Sequence, residues 1–458
     1  MTCPCHVVML FSCDLLYNRY VCRFCDINKY SFLCYTCDMV RNLLNDKCND
    51  FLDEIMNLND LPGLAVGVSI GGAGQNQTKT APAEFLGVRG YRDYAARTPL
   101  EADDIFHCAS VSKLFTSSAI MLLVEAGALN LEDKLCDILP DLCIADKRYS
   151  EIRLWNMLTH TSGLGDVDDY HWYDCETDED SLRRYVYESE EVLNQPMLWE
   201  PQKQQHPQMP PTQQTGLADG TAATGDNRFR YSNIAYEILG QMVSEYSDRM
   251  LADDRNRPSG GKLSYEDFVA EYLLKPSGMT ASTMKTFERA DLAGFAAKNC
   301  PLPAQMASPH EKKSDRSIGP VKYYPYTRQH APSSTLTSNL RDLLRWGRAH
   351  LESSRSADGP LLNPDMYETI WQTYAIVPNN GEHMGLGWFM REQSVTAGDG
   401  TQSTYHLLGH EGTDDGFRAS FWICPQLDLV TVVLSNLSGA PVKRINKKLF
   451  DTIASGVV

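Results

Sequence analysis

The stretch 105-IFHCASVSKLFTSSAIMLLVEAGALNLEDKL-135 decides the fold. Its centre, 110-SVSKLFTSSAIMLLVEAG-127, is apolar nearly all round and stops at Gly127, where a C-terminal cap would sit. A helix of that composition has no face to offer water, so it predicts a buried central element. It is not a membrane span, because no run in the chain reaches about 18 uninterrupted apolar residues. The feature that needs explaining is Lys113, since an ammonium without a partner is costly in such surroundings.

Upstream, 43-LLNDKCNDFLDEIMNL-58 carries apolar residues at helical spacing, and 63-GLAVGVSIGG-72 and 84-EFLGVRGYR-92 read as strands. Downstream, residues 130–180 read as short helices and loops. Helical patterns resume at 234-IAYEILGQMVSEYS-247, 264-SYEDFVAEYLLKP-276 and 338-SNLRDLLRWGRAHLE-352. Strand-like runs follow at 385-GLGWFM-390, 405-YHLLGHEG-412, 417-FRASFWIC-424 and 428-DLVTVVLSN-436, and 441-PVKRINKKLFDTIA-454 closes as a helix. There is no internal repeat. Strands at both ends with helices between them imply an α/β chain of the α+β kind, an antiparallel sheet with a mostly helical lobe inserted between its halves. We divide it into an extension over 1–42 and a main domain over 43–458. The sheet part of that domain comes from 43–105 and 320–458 and the helical lobe from 106–319.

Composition bounds the partners. The 458 residues are 43% hydrophobic and 22% charged, as in ordinary globular proteins, and the net charge is −17. With no long basic stretch, nucleic acid and anionic membrane surfaces are excluded as main partners. Eight of the 14 cysteines fall before residue 49, and the other six are thinly spread, which reads as reduced thiols and a cytoplasmic protein. The apolar patch 7-VVMLFSC-13 lacks a basic flank and is not read as a signal peptide. Cys22-x-x-Cys25 and Cys34-x-x-Cys37 have the spacing of zinc knuckles, but we read 1–42 as an unstructured tail in preference to a metal module. The segment 201–226 is rich in Pro, Gln and Gly, has almost no large apolar residue, and reads as a surface insertion.

Three clusters carry candidate chemistry. Ser110 and Lys113 stand three apart at the start of the buried helix, so a hydroxyl nucleophile and an amine base share one face, beside unpaired helix N–H groups suited to an oxyanion. Tyr231 and Asn233 are two apart before the next long helix; read alone the segment is equally a capping motif with a packed Tyr. A nearby ammonium would lower the phenol from its usual range near 10 and let it relay protons. His410-Glu411-Gly412 ends a strand-like run, where in an edge strand Gly412 would permit close approach of a ligand and the N–H of Thr413 could bind an oxyanion.

Together, and in this order, these clusters resemble the serine β-lactamase and DD-peptidase superfamily, in its class C-like and esterase branch. The resemblance spans roughly 45–455 and also rests on 154-LWNMLTHTSGL-164, 229-FRYSNIAYEILG-240, 272-YLLKPSGM-279, 332-PSSTLTSNLRDLLRWG-347 and 408-LGHEGTDDGFRASFWI-423. It implies a sheet flanked by helices on both faces, Ser110 as acylated nucleophile, Lys113 and Tyr231 as the proton-handling pair, and Asn233 as a substrate-orienting amide. His410 and Gly412 match the strand triad, and the N–H groups of Ser110 and Thr413 the oxyanion hole. Neither a metal nor an organic cofactor is implied.

Two departures set the expectations apart from the penicillin-recognising members. His410 stands where those members have lysine, so a fixed cation for a substrate carboxylate is missing, although acidification towards pH 6 should charge the imidazole. The 201–226 insertion lengthens the approach to Tyr231 and would shape entry. The reading is a serine hydrolase or acyltransferase for a small-molecule ester, thioester or amide, with an alcohol or amine as a possible acyl acceptor. The alternatives are a β-lactamase or DD-peptidase-type hydrolase and a non-catalytic relative retaining the fold.

Overall fold

The structure is a computed structural model that describes residues 29–71, 81–171, 178–201, 228–250, 261–285, 305–378 and 380–456, with backbone only over 29–40. Most of the 201–226 insertion and the Cys22/Cys25 pair lie outside the described residues, as do the side chains of Cys34 and Cys37. Helix α1 is longer than its apolar spacing suggested. It runs Lys29–Leu58 and so passes through the boundary drawn at residue 42. The added turns lack the apolar period by which the rest was recognised.

Among the described residues nine strands form one antiparallel sheet: β1 (Gly63–Ile70), β2 (Ala83–Asp93), β3 (Thr98–Pro99), β4 (Ala375–Ile376), β5 (His383–Met384), β6 (Phe389–Thr396), β7 (Gln402–Asp414), β8 (Phe417–Cys424) and β9 (Leu429–Ser435). Their order is β3-β2-β1-β9-β8-β7-β6-β5-β4, so β1, from the start of the chain, is hydrogen-bonded to β9, near its end, in the register Val66↔Val433. β1 is buried on both faces, which is why it reads as a continuous β-branched run. Leu64, Val66 and Val68 join the core under α1 and α5 (Val442–Ala454), while Ala65 turns to the opposite core, where α2 (Ser112–Glu125) and α4 (Leu340–Ser353) lie. Helices therefore cover both sheet faces.

The run 385–390 is only half strand. Gly387 has φ +82°, a conformation closed to most side chains, and Gly385 N–H donates to Trp388 O at 2.8 Å, so 385–388 is a turn that delivers β6 from Phe389 onward. A Cβ at Gly387 would stand 2.4 Å from Ser117 Cβ, so the glycine also lets this turn press against α2.

α2 is buried from Ser112 to Leu123, and the absence of a polar face in its sequence is thereby explained. Phe115 stacks on Trp346 of α4 with centroids 4.0 Å apart, Ser117 Oγ donates to Leu386 O and Thr116 Oγ1 to Pro332 O. Each hydroxyl on this helix thus finds a carbonyl, as burial requires. The second long helix of the lobe is α3 (Asn233–Met250), capped by Ser232, whose Oγ accepts from Ala235 N–H at 3.1 Å. Among the described residues no helix is long and apolar enough to cross a membrane.

Truncation of the ring that ties α2 to α4 tests this packing. Phe115→Ala should lower stability by about 3–5 kcal/mol, read as a fall in the urea midpoint at unchanged slope. A loss under about 1 kcal/mol would contradict a tightly packed α2.

Candidate active site

Ser110 lies in a short 3-10 turn, Ala109–Val111, just ahead of α2, and is partly exposed although its neighbours are buried. Ala109 takes φ +48°, an uncommon left-handed conformation for a residue with a side chain, and it aims Ser110 out of the turn. Two contacts hold the turn against β7. His107 Nε2 meets Asp414 Oδ2 at 2.8 Å in a buried pair, and Gly412 lies so close that a Cβ there would stand 2.2 Å from Cys108 O. The glycine expected to admit a ligand therefore admits the backbone that carries Ser110.

β7 is not an edge strand of the sheet, but it has an edge where it matters. β6 pairs with it only up to Phe389↔Gly409, whereas β8 pairs with it as far as Asp414↔Phe417. Residues 410–414 are thus free on the β6 side. Asp414 and Phe417 flank a two-residue turn and form a hydrogen-bonded pair, so alternation makes Thr413↔Arg418 a non-hydrogen-bonded one. The N–H of Thr413 consequently points to the free edge, the side from which the Ser110 turn approaches.

Lys113 is fully buried. Its Nζ reaches Ser110 Oγ at 3.2 Å, Asn233 Oδ1 at 2.6 Å and Ser333 O at 2.8 Å, so all three protons of an ammonium have acceptors. Burial lowers its pKa to about 8, against the opposing pull of Glu237, Asp166 and Asp414. Tyr231 lies beside it, with Nζ 4.9 Å from the ring centroid and a hydrogen bond to Ser110. The phenol does not behave as its lysine neighbour suggested. Burial raises it well above its usual range, outweighing the Ser110 bond, so the hydroxyl stays protonated.

Asn233 is held at both ends, its Oδ1 by Lys113 and its Nδ2–H by Asp166 Oδ1 at 2.7 Å, while its backbone N–H donates to the same oxygen at 2.8 Å. The amide orients the lysine.

His410 is also buried. Its Nδ1 is 2.6 Å from Glu411 O, so Nδ1 carries the proton and Nε2 is left as a lone-pair acceptor with no hydrogen-bond partner among the described residues. Burial and Lys113 push its pKa down to about 3. The expectation that it charges towards pH 6 is therefore wrong. Glu411, from the opposite face of β7, accepts from Trp422 Nε1 at 2.8 Å and turns away from Ser110. Phe389 lies edge-on to His410 at 4.9 Å and Phe229 is 6.4 Å from Phe389, which makes this flank of the site aromatic.

Ser110, Lys113, Tyr231, Asn233, His410, Gly412 and Thr413 therefore come together as the sequence suggested. Missed were His160, whose ring stacks on Tyr231 at 4.4 Å and whose Nδ1 accepts from Ser232 N–H, together with Asp166, Ser333 and Glu237. Glu237 was within reach, because it is a lone charge in the apolar run 234-IAYEILG-240, the same signal that singled out Lys113. Asp166 and Ser333 carry no such local mark. Among the described residues no group of three or more His, Cys, Asp and Glu could hold a metal.

A partly exposed serine in the turn ahead of α2, 3.2 Å from a buried lysine and beside a protonated tyrosine, thus faces the free edge of an antiparallel sheet. The family profile described as Beta-lactamase matches residues 49–454, and the chain belongs to that family. It is 22% identical over 386 residues to Protein flp of Staphylococcus aureus (strain MW2), covering 80% of this chain but 61% of that relative, so it spans about three fifths of the relative's length. The octameric penicillin-binding protein homologue from Pyrococcus abyssi superposes with TM-score 0.64 at 21% identity, over 89% of this chain and 77% of that one. The D-amino acid amidase from Ochrobactrum anthropi SV3, complexed with L-phenylalanine amide, superposes with TM-score 0.60 at 17% identity, over 91% and 98%. Both structures share the fold.

The approach of Gly412 to Cys108 gives a direct test. Gly412→Ala should fold but push the Ser110 turn off β7, slowing labelling of Ser110 by a fluorophosphonate about 10²-fold. Wild-type labelling rates would show that the contact does not position the serine.

Proposed function

We propose that the protein is a serine hydrolase or acyltransferase that opens a neutral ester, thioester or amide through an acyl-Ser110 intermediate. The observation that carries this reading is the 3.2 Å contact between Ser110 Oγ and a buried Lys113 whose pKa lies near 8. At neutral pH a fraction of Lys113 is unprotonated and can take the hydroxyl proton as Oγ attacks the acyl carbonyl. The N–H groups of Ser110 and Thr413 would receive the oxyanion. Tyr231, which stays protonated, hands its proton to the leaving group and is recharged from the Lys113 ammonium, so the proton lost by Ser110 leaves with the product. Water then releases the acyl group, or an alcohol or amine acceptor takes it.

The substrate class follows from His410. In this position a neutral imidazole offers a lone pair, which repels a carboxylate and favours a donor or a neutral group. A charge-assisted hydrogen bond is worth about 1.5–3 kcal/mol, so its absence should weaken recognition of carboxylate-bearing β-lactams roughly 10- to 150-fold relative to a lysine-bearing site. The amidase among the structural neighbours makes an amide a reasonable substrate, and the penicillin-binding relative favours the β-lactamase or DD-peptidase alternative, against which the missing cation weighs.

Two measurements test the proposal. Aryl esters should be cleaved much faster than chromogenic cephalosporins, and because His410 is already neutral the ratio of the two kcat/KM values should be the same at pH 6 and pH 8. Both values should rise with pH towards the Lys113 midpoint near 8. A cephalosporin rate equal to the ester rate would restore the β-lactamase alternative, and a ratio that shifts towards cephalosporin at pH 6 would show that His410 charges. Intact mass should show one acyl adduct on the wild type and none on Ser110→Ala; an equal adduct on the variant places the nucleophile elsewhere.

A further inference from the structure

Linked to Lys113 through Ser333 lies a second buried polar group that the reaction outlined above does not use. Glu237 is one helical turn after Asn233 on α3, so the two share a face and both lie towards Lys113. It is fully buried. Its Oε1 accepts from Ser333 Oγ and lies 3.1 Å from His330 Nδ1, whose ring is also fully buried. The link to Lys113 is short, since Ser333 is the residue whose carbonyl accepts Nζ at 2.8 Å.

The tautomer of His330 follows from its other side. Gln329 Nε2 faces His330 Nε2 at 3.2 Å, and an amide N–H can only donate, so His330 Nε2 accepts and Nδ1 carries the proton towards Glu237. Glu237 Oε1 thus receives two donors. Two donors on one oxygen favour the carboxylate form; burial still leaves the pKa raised above its ordinary value, with His330, Ser333 and Lys113 opposing that rise.

The other groups facing Lys113 are already committed. Asp166 is bonded to the backbone and side-chain N–H of Asn233, and Asp414 is paired with His107. His160 and His410 are held neutral by burial, and Tyr231 and Tyr236 are held protonated by it. Of the three acids that act on Lys113 by charge, Glu237 exerts the largest effect. Around Glu237 itself, Tyr170 and Tyr185 stand edge-on to His330 at 4.9 and 4.8 Å, and both phenols are raised by burial with a contribution from Glu237.

We propose that Glu237, kept ionised by His330, is a positioning residue that holds Ser333 against Lys113 and sets how tightly Lys113 keeps its proton. The proposal rests on the reading of Lys113 as the base for Ser110. Desolvation alone would drive Lys113 to give up its proton too readily, leaving a neutral amine too weak to take one from serine. The buried anion restores enough proton affinity for the lysine both to accept the serine proton and to return it through Tyr231.

The test is the titration of Lys113 itself, followed by the NMR signal of its ε-carbon in full-length protein labelled with ε-13C-lysine and assigned by its absence in Lys113→Arg. Glu237→Gln keeps the shape and an oxygen that accepts from Ser333 and His330, but removes the charge. The Lys113 midpoint should fall by about one unit or more, and the acid limb of kcat/KM should move down with it. Glu237→Asp should restore the midpoint towards the wild-type value. His330→Gln, which gives Glu237 a weaker donor, should lower the midpoint in the same direction and keeps the test decisive if Glu237→Gln does not fold. A midpoint unchanged in either folded variant would overturn the proposal, since a merely structural role predicts lost stability without a shift. The midpoint is read whether or not any acyl substrate turns over, so absent turnover counts against the proposed function alone.

Discussion

Everything in the site depends on burying one ammonium group. Lys113 can be fully enclosed because Ser110, Asn233 and Ser333 supply an acceptor for each of its protons, and those three come from widely separated parts of the chain. Removing any one of them would leave a buried donor without a partner, which costs more than the bond contributes. The fold is arranged to bring them together: α2 carries Lys113, α3 brings Asn233 under it, and the short helix Ala331–Ser334 ahead of α4 brings Ser333. The sheet then brings the free edge of β7 to the Ser110 turn, through Gly412 on Cys108 and His107 on Asp414.

The same burial sets the protonation of the lysine and of the imidazoles and phenols beside it. It lowers the lysine and both adjacent imidazoles and raises both adjacent phenols. All these shifts favour the uncharged form of those groups, while Glu237, Asp166 and Asp414 act on Lys113 by their charge. In such surroundings a lysine is the natural base and a tyrosine the natural acid, because their uncharged forms are the ones that accept and donate.

Much of this was legible in the sequence, for identifiable reasons. The apolar composition of α2 nearly all round gave away a buried helix, and a lone lysine in it had to have partners. The strands β8 and β9 were visible because two-sided burial makes them continuous β-branched and aromatic runs. The start of α1 was not, because its first turns lack the apolar face by which helices are recognised. Gly385–Trp388 was misread because apolar residues of a tight turn under α2 look like those of a strand. Protonation states were the least legible. The pKa of His410 and of Tyr231 depends on how completely other segments cover them, and nothing within two residues of either records that.

The central claim is that Lys113, not Tyr231, takes the proton of Ser110. The most direct measurement is the rate at which a fluorophosphonate labels Ser110 as a function of pH, in the wild type and in Tyr231→Phe. The account predicts that in both proteins the rate rises with a midpoint near 8, the value set by Lys113, with the variant slower but its limb in place. A limb that disappears in Tyr231→Phe, or that moves to the range of a phenol in the wild type, would contradict it.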